Sequence, residues 1–177
     1  YKLFLENNED INSICQKYDI KNYTINEDGT VDVDDDVYLC QEELTKLPLK
    51  FGRVTGSFDC SENQLTTLEG SPKWVGGYFS STDNKLKTFE GGPEIVIGRY
   101  YCYDNKLINF KGCPEDYEDY CSFEGNIVFK LLKKIPDDKW NKFIYWCNEY
   151  DAINDDGEVI PERMEEVYNK LGLKYEN

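Results

Sequence analysis

The chain has 177 residues, with 20 basic against 35 acidic side chains for a formal net charge of -15, no histidine, and 15% aromatic residues. The length suits one domain with small appendages, and the aromatic share excludes a disordered acidic chain. Without histidine there is no His-based triad, metal ligand or general base, and the acidity argues against nucleic-acid phosphates or anionic membranes as ligands. No run approaches the roughly 20 apolar residues needed to span a bilayer. No secretory leader pattern opens at Tyr1, and the missing initiator Met points to a trimmed N-terminus. Seven cysteines, with no Cys-x-x-Cys pair, read as reduced thiols in a cytosol-like compartment.

From the N-terminus, Ile11, Ile14, Cys15 and Tyr18 have the i, i+3, i+4, i+7 spacing of a helix, with Asn7 or Asn8 as its cap. Tyr23–Ile25 and Val31–Val33 flank Asn26-Glu27-Asp28-Gly29, which predicts a hairpin. Asp34-Asp35-Asp36 reads as a solvated turn, with Ca²⁺ binding as the alternative. An EF-hand does not fit: placing Gly29 or Gly157 sixth puts Thr24 or Ala152 first, where an acid is needed.

The middle of the chain repeats every 21 residues. Val54, Val75 and Val96 align, as do Phe58, Phe79 and Tyr100, then Leu65, Leu86 and Leu107, then Leu68, Phe89 and Phe110. Gly70, Gly91, Gly112 and Pro72, Pro93, Pro114 stay in register. With decay at both ends, five units are read: 33–53, 54–74, 75–95, 96–116 and 117–137. Each unit predicts a short strand near Phe58–Cys60 with alternate residues inward. Asn63, Asn84, Asn105 and Asn126 predict a buried asparagine ladder that bonds loop backbone, with Glu42 at the corresponding place in the first unit. Gly56, Gly77 and Gly98 predict either close backbone approach or positive φ.

These columns resemble the leucine-rich repeat. In the second unit Phe58, Cys60, Asn63 and Leu65 fill its later positions, and Val54 falls one residue early. The Asn-x-Leu-x-x-Leu segment resembles the short bacterial class, and the Gly-Gly-x-Phe form of 75–93 resembles repeat proteins of bacteriophage genomes. The resemblance covers about residues 23–137 and implies an α/β solenoid with a parallel concave sheet, made as a viral protein in a host cytoplasm.

Beyond the repeats, Trp140, Phe143, Ile144 and Cys147 form a helical stripe. Pro161 opens a second helix with Met164, Val167, Tyr168 and Leu171 inward, ended by Gly172. The predicted organisation is an N-terminal helix and hairpin cap over 1–32, the solenoid over 33–137, and a two-helix cap over 138–177. Short helices thus cover both open ends of the solenoid.

Nothing in the sequence assembles an active site, a metal site or a cofactor site. Cys60 and Cys102 share an inward column two units apart, too far for a disulfide. Cys113 sits between units as a candidate exposed thiol with no histidine to activate it. The outward strand positions are the better lead. They form three columns: Asp36, Ser57, Tyr78, Arg99, Tyr120; Tyr38, Asp59, Ser80, Tyr101, Ser122; and Cys40, Ser61, Thr82, Tyr103, Glu124. Tyr78, Arg99, Tyr101, Tyr103, Tyr120 and Asp59 are the candidate contacts, because Tyr and Arg dominate binding hot spots. Cross-strand stacking that merely shields the sheet is the competing reading. Trp74 is placed on the convex side or an edge.

The function expected is a non-enzymatic protein–protein interaction module, phage-encoded and modulating a host factor, with a defence component as one candidate. The alternatives are an acidic nucleic-acid mimic and a small-ligand protein that sequesters a nucleotide signal between the tyrosines. Residues 33–137 carry 18 acids and 12 bases, whereas the 72 flanking residues carry 17 and 8, so the acidity is denser outside the repeats. That distribution weakens the mimic reading.

Overall fold

A computed structural model describes residues 11–114, 116–117 and 121–176. It is a β-solenoid with parallel sheets and a few short helices. Residues 11–17 form helix α1. Strands β1 (Tyr23–Ile25) and β2 (Val31–Val33) pair antiparallel. Asn26 to Thr30 close the turn between them, with Gly29 at φ 80°. The chain then alternates between two parallel ladders. The first holds β2, β4 (Phe51–Val54), β6 (Trp74–Val75), β8 (Ile95–Val96) and β10 (Asp116–Tyr117). The second holds β3 (Val37–Tyr38), β5 (Phe58–Asp59), β7 (Phe79–Ser80), β9 (Tyr100–Tyr101) and β11 (Cys121–Ser122).

The two ladders differ from the single sheet expected. Val54, Val75 and Val96 lie on the first ladder and pair directly, Val54 with Val75 and Val75 with Val96. Phe58, Phe79 and Tyr100 pair on the second. A few residues around Gly56, Gly77 and Gly98 turn the chain from one to the other. These three glycines have no positive φ. They are required by close approach, since a Cβ on Gly98 would lie 2.8 Å from the Gly77 carbonyl oxygen. Gly70, Gly91 and Gly112 are the opposite case, with φ of 92°, 83° and 76° at the far turn of each unit.

Inward residues stack on like residues one unit away. Phe58 and Phe79 are parallel with ring centroids 5.7 Å apart, and Phe79 and Tyr100 follow at 5.0 Å. Leu65, Leu86 and Leu107, and Leu68, Phe89 and Phe110, are buried in register behind them. Leu39, Cys60, Ser81, Cys102 and Phe123 form the second inward column and are likewise buried. The Cys60 and Cys102 thiols donate to the carbonyls of Ser80 and Ser122, and both are free. Cys113 is only 8% exposed, which overturns its reading as an exposed thiol: its amide closes a turn onto the Phe110 carbonyl and the side chain is buried there.

Each asparagine of the ladder repeats one pattern. Asn84 Nδ2 donates to the carbonyls of Cys60 (3.0 Å), Ser81 (3.1 Å) and Thr82 (3.2 Å), and its Oδ1 accepts from Leu65 N (2.8 Å). Asn105 and Asn126 make the same set one unit further on. Asn63 makes it too, and accepts from both Glu42 N and Leu44 N of the unit that lacks its own asparagine. The residue before each asparagine is left-handed: Gln41 in the first unit, then Glu62, Asp83, Asp104 and Gly125, with φ between 52° and 75°. Such a conformation costs a non-glycine residue about 1–2 kcal/mol. It is held because it delivers the asparagine inward to groups that would otherwise be buried unpaired.

The C-terminal part packs on the last repeats. Helix α2 (Phe129–Leu132) and a 3₁₀ turn at Asp137–Lys139 lead into α3 (Trp140–Glu149) and α4 (Pro161–Lys170). Aromatic edges link repeat to helices: Phe89–Phe123 and Phe110–Phe123 at 5.9 Å, Phe110–Phe143 at 6.0 Å and Phe143–Tyr168 at 6.1 Å. Asn148 Nδ2 donates to the Phe110 carbonyl, and Lys111 pairs with Asp155 at 2.6 Å. An isolated bridge, Ile153 to Val159, joins the segment between α3 and α4. Asn7 and Asn8 lie outside the described residues.

Asn84→Ala strips one acceptor from Leu65 N and a donor from three buried carbonyls. It should destabilise the fold by about 3 kcal/mol in urea unfolding. A second expectation concerns the left-handed acids. Desolvation, then Asp104 and Glu62, hold the Asp83 carboxyl above its ordinary value. A carboxyl raised in this way withholds stability at neutral pH and restores it as pH falls through its folded-state pKa. Asp83→Asn should therefore raise the melting temperature more at pH 7 than at pH 3. The part common to both pH values reports the preference of Asn for the left-handed region.

Candidate binding face

The face built from the second ladder is set by strand alternation. Phe58, Phe79 and Tyr100 point inward and are buried, so Ser57, Asp59, Tyr78, Arg99 and Tyr101 lie outward. Parallel in-register pairing aligns Tyr38 with Asp59, Asp59 with Ser80, Ser80 with Tyr101 and Tyr101 with Ser122. Tyr78 and Tyr101 meet edge to face with centroids 6.0 Å apart. Arg99 Nη1 donates to the Tyr101 hydroxyl at 3.4 Å. Tyr38, Tyr103 and Arg99 are exposed, Tyr78, Tyr101 and Asp59 are half-buried. Tyr120 lies outside the described residues.

Carboxylates tie the tyrosines together at the β3 end. Asp36 Oδ1 accepts from Ser57 N at 2.6 Å and Oδ2 from the Tyr38 hydroxyl at 3.1 Å. Asp59 Oδ1 accepts from Ser61 N and the Ser61 hydroxyl, and Oδ2 sits 3.5 Å from the Tyr78 hydroxyl. Burial, followed by the charge of Asp59 and the neighbouring Tyr38, pushes the Tyr78 phenol well above its ordinary value. The hydrogen bond to Asp36 does the same for Tyr38. Both phenols therefore stay neutral and remain hydrogen-bond donors.

The small outward residues are not surface. Ser80, Thr82 and Ser122 are 7%, 3% and 4% exposed. The hydroxyls of Thr82 and Ser122 have no hydrogen-bond partner among the described residues. The Asp34–Asp36 run is held by local donors: Thr55 to Asp34, Asp36 N and Asn22 to Asp35, and Ser57 N to Asp36.

The first ladder exposes a second set that sequence reading placed only loosely. Arg53 pairs with Trp74, and Trp74 with Ile95, on successive strands. The Arg53 guanidinium stacks 3.6 Å from the Trp74 ring centroid, and Ile95 and Ile97 are both 42% exposed. The signal was present: Arg53, Trp74 and Ile95 also stand 21 residues apart, each one place before the valine column. Among the described residues no helix is long and apolar enough to cross a membrane. A scan against protein-family models matches none of them, and searches of the curated proteins and of the solved structures return no match.

Because the Tyr78 pKa is raised on folding, the stability it contributes is whole below its ordinary value of 10.0 and is lost as pH rises beyond it. Thermal melts between pH 8 and pH 11 should show a decline that is shallower for Tyr78→Phe than for the wild-type chain. An unchanged slope would place the Tyr78 hydroxyl in solvent.

Proposed function

We propose that the protein is a non-enzymatic protein-binding solenoid of the leucine-rich-repeat type, with five 21-residue units and helical elements at both ends. The observation that carries this reading is the outward ladder on which Tyr38, Asp59, Tyr78, Arg99, Tyr101 and Tyr103 are gathered from successive units. Aromatic side chains with neutral, donating phenols supply contact area at little cost in rotamer entropy. Small residues between them, Ser80 and Thr82, are buried.

The edge-to-face contact of Tyr78 with Tyr101 favours a protein surface over a nucleotide, since it leaves no parallel slot for a base. The host-directed, bacteriophage-encoded form of the proposal is supported by the resemblance of the 75–93 unit alone. A host cytoplasm is the compartment it implies, and the free cysteines are compatible with that.

Tyr101→Ala combined with Tyr103→Ala should abolish capture of a partner from host lysate, with circular dichroism and melting temperature preserved. Capture that survives in a folded double variant would remove the binding face from the proposal.

A further inference from the structure

The β3 end of this face carries two carboxylates, Asp36 and Asp59. Among the described residues the ion pairs engage Asp19, Glu94, Asp151, Asp155 and Glu176, and none reaches Asp36 or Asp59. Backbone amides fix one oxygen of each: Ser57 N holds Asp36 Oδ1 and Ser61 N holds Asp59 Oδ1. The other oxygens face phenols, at 3.1 Å for Tyr38 on Asp36 and 3.5 Å for Tyr78 on Asp59. A contact of 3.5 Å is weak, so Asp59 keeps unused acceptor capacity. Tyr38 is 53% exposed beside them, which is a large share for an aromatic ring. Arg99, further along the face, is directed to Tyr101.

Positioned carboxylates beside an open aromatic ring make a receptor for a cation. A guanidinium fits better than an ammonium, because its plane stacks on the ring while its edge donates to two oxygens. The molecule already performs half of this chemistry on its first ladder, where Arg53 stacks on Trp74. The formal charge of -15 adds attraction over distance.

We infer that Asp36, Tyr38, Asp59 and Tyr78 form a docking site for arginine side chains of a partner protein. The inference rests on the protein-binding reading above and names the chemistry of that partner.

Fluorescence anisotropy with a fluorescein-labelled hexa-arginine peptide, at near-physiological salt, tests it. The wild-type chain should bind, and Asp36→Asn with Asp59→Asn should weaken binding about tenfold or more. Glu165→Gln with Glu166→Gln removes the same charge from the exposed side of α4 and should change binding less than about twofold. Tyr38→Leu should weaken it about threefold. Melting curves establish that each variant is folded, and if the aspartate pair does not fold, Tyr38→Leu decides. No binding by the wild-type chain, or equal weakening by the two charge-matched pairs, overturns the site. If the site is overturned while Tyr101→Ala with Tyr103→Ala still loses the captured partner, the cation assignment falls alone. If capture survives that variant as well, the protein-binding reading falls with it.

Discussion

The asparagine ladder is the constraint on which the rest of the solenoid depends. A coil only 21 residues long must turn tightly, and its turn backbone is buried away from water. Asn63, Asn84, Asn105 and Asn126 supply donors and an acceptor to that backbone, and each reaches both its own unit and the one before it. The bond therefore closes the turn and sets the stacking register together. The left-handed residues before each asparagine are strained only because this closure requires it.

Register, once set, makes every column a stack of like side chains. Phe58, Phe79 and Tyr100 form an aromatic spine on one wall, and Leu65, Leu86 and Leu107 line another. Stacked identical groups leave an apolar face at each open end. At the C-terminal end the aromatic chain continues through Phe110 and Phe123 into Phe143 and Tyr168, so α3 and α4 extend the same core. The same register places like charges above one another outside, so that Asp104 and Glu62 add to the burial that raises the Asp83 carboxyl.

The outward face obeys the same arithmetic with different residues. Because each position recurs at one strand spacing, a tyrosine in one unit stands beside a serine in the next, and Ser80 and Ser122 are buried. The face thus shields part of the sheet. Shielding accounts for the buried serines. It does not account for Asp36 and Asp59, whose charges no ion pair among the described residues compensates.

Much of this was legible in the amino-acid order. Periodicity located the inward columns, since a side chain repeated every 21 residues in an apolar column has one place to go. Alternation around Phe58 and Phe79 separated the tyrosine face from the core, and helical spacing marked 140–149 and 161–170. Other features were not legible, for physical reasons. The first ladder continues beyond β4 in two-residue strands such as Trp74–Val75, too short to show alternation. Whether Gly98 served a positive φ or a close approach depended on how near Gly77 lies, a distance across coils. Cys113 looked like loop and is buried, because burial of a turn residue is decided by what folds over it. The Arg53–Trp74 stack and the contacts of Ser57 N with Asp36 and of the Tyr78 hydroxyl with Asp59 likewise arise between units. The sequence by itself determined the repeat, its inward columns and the residues offered outward. Only the tertiary structure decided which of those residues touch and which become buried, because such contacts form between coils and not along the chain.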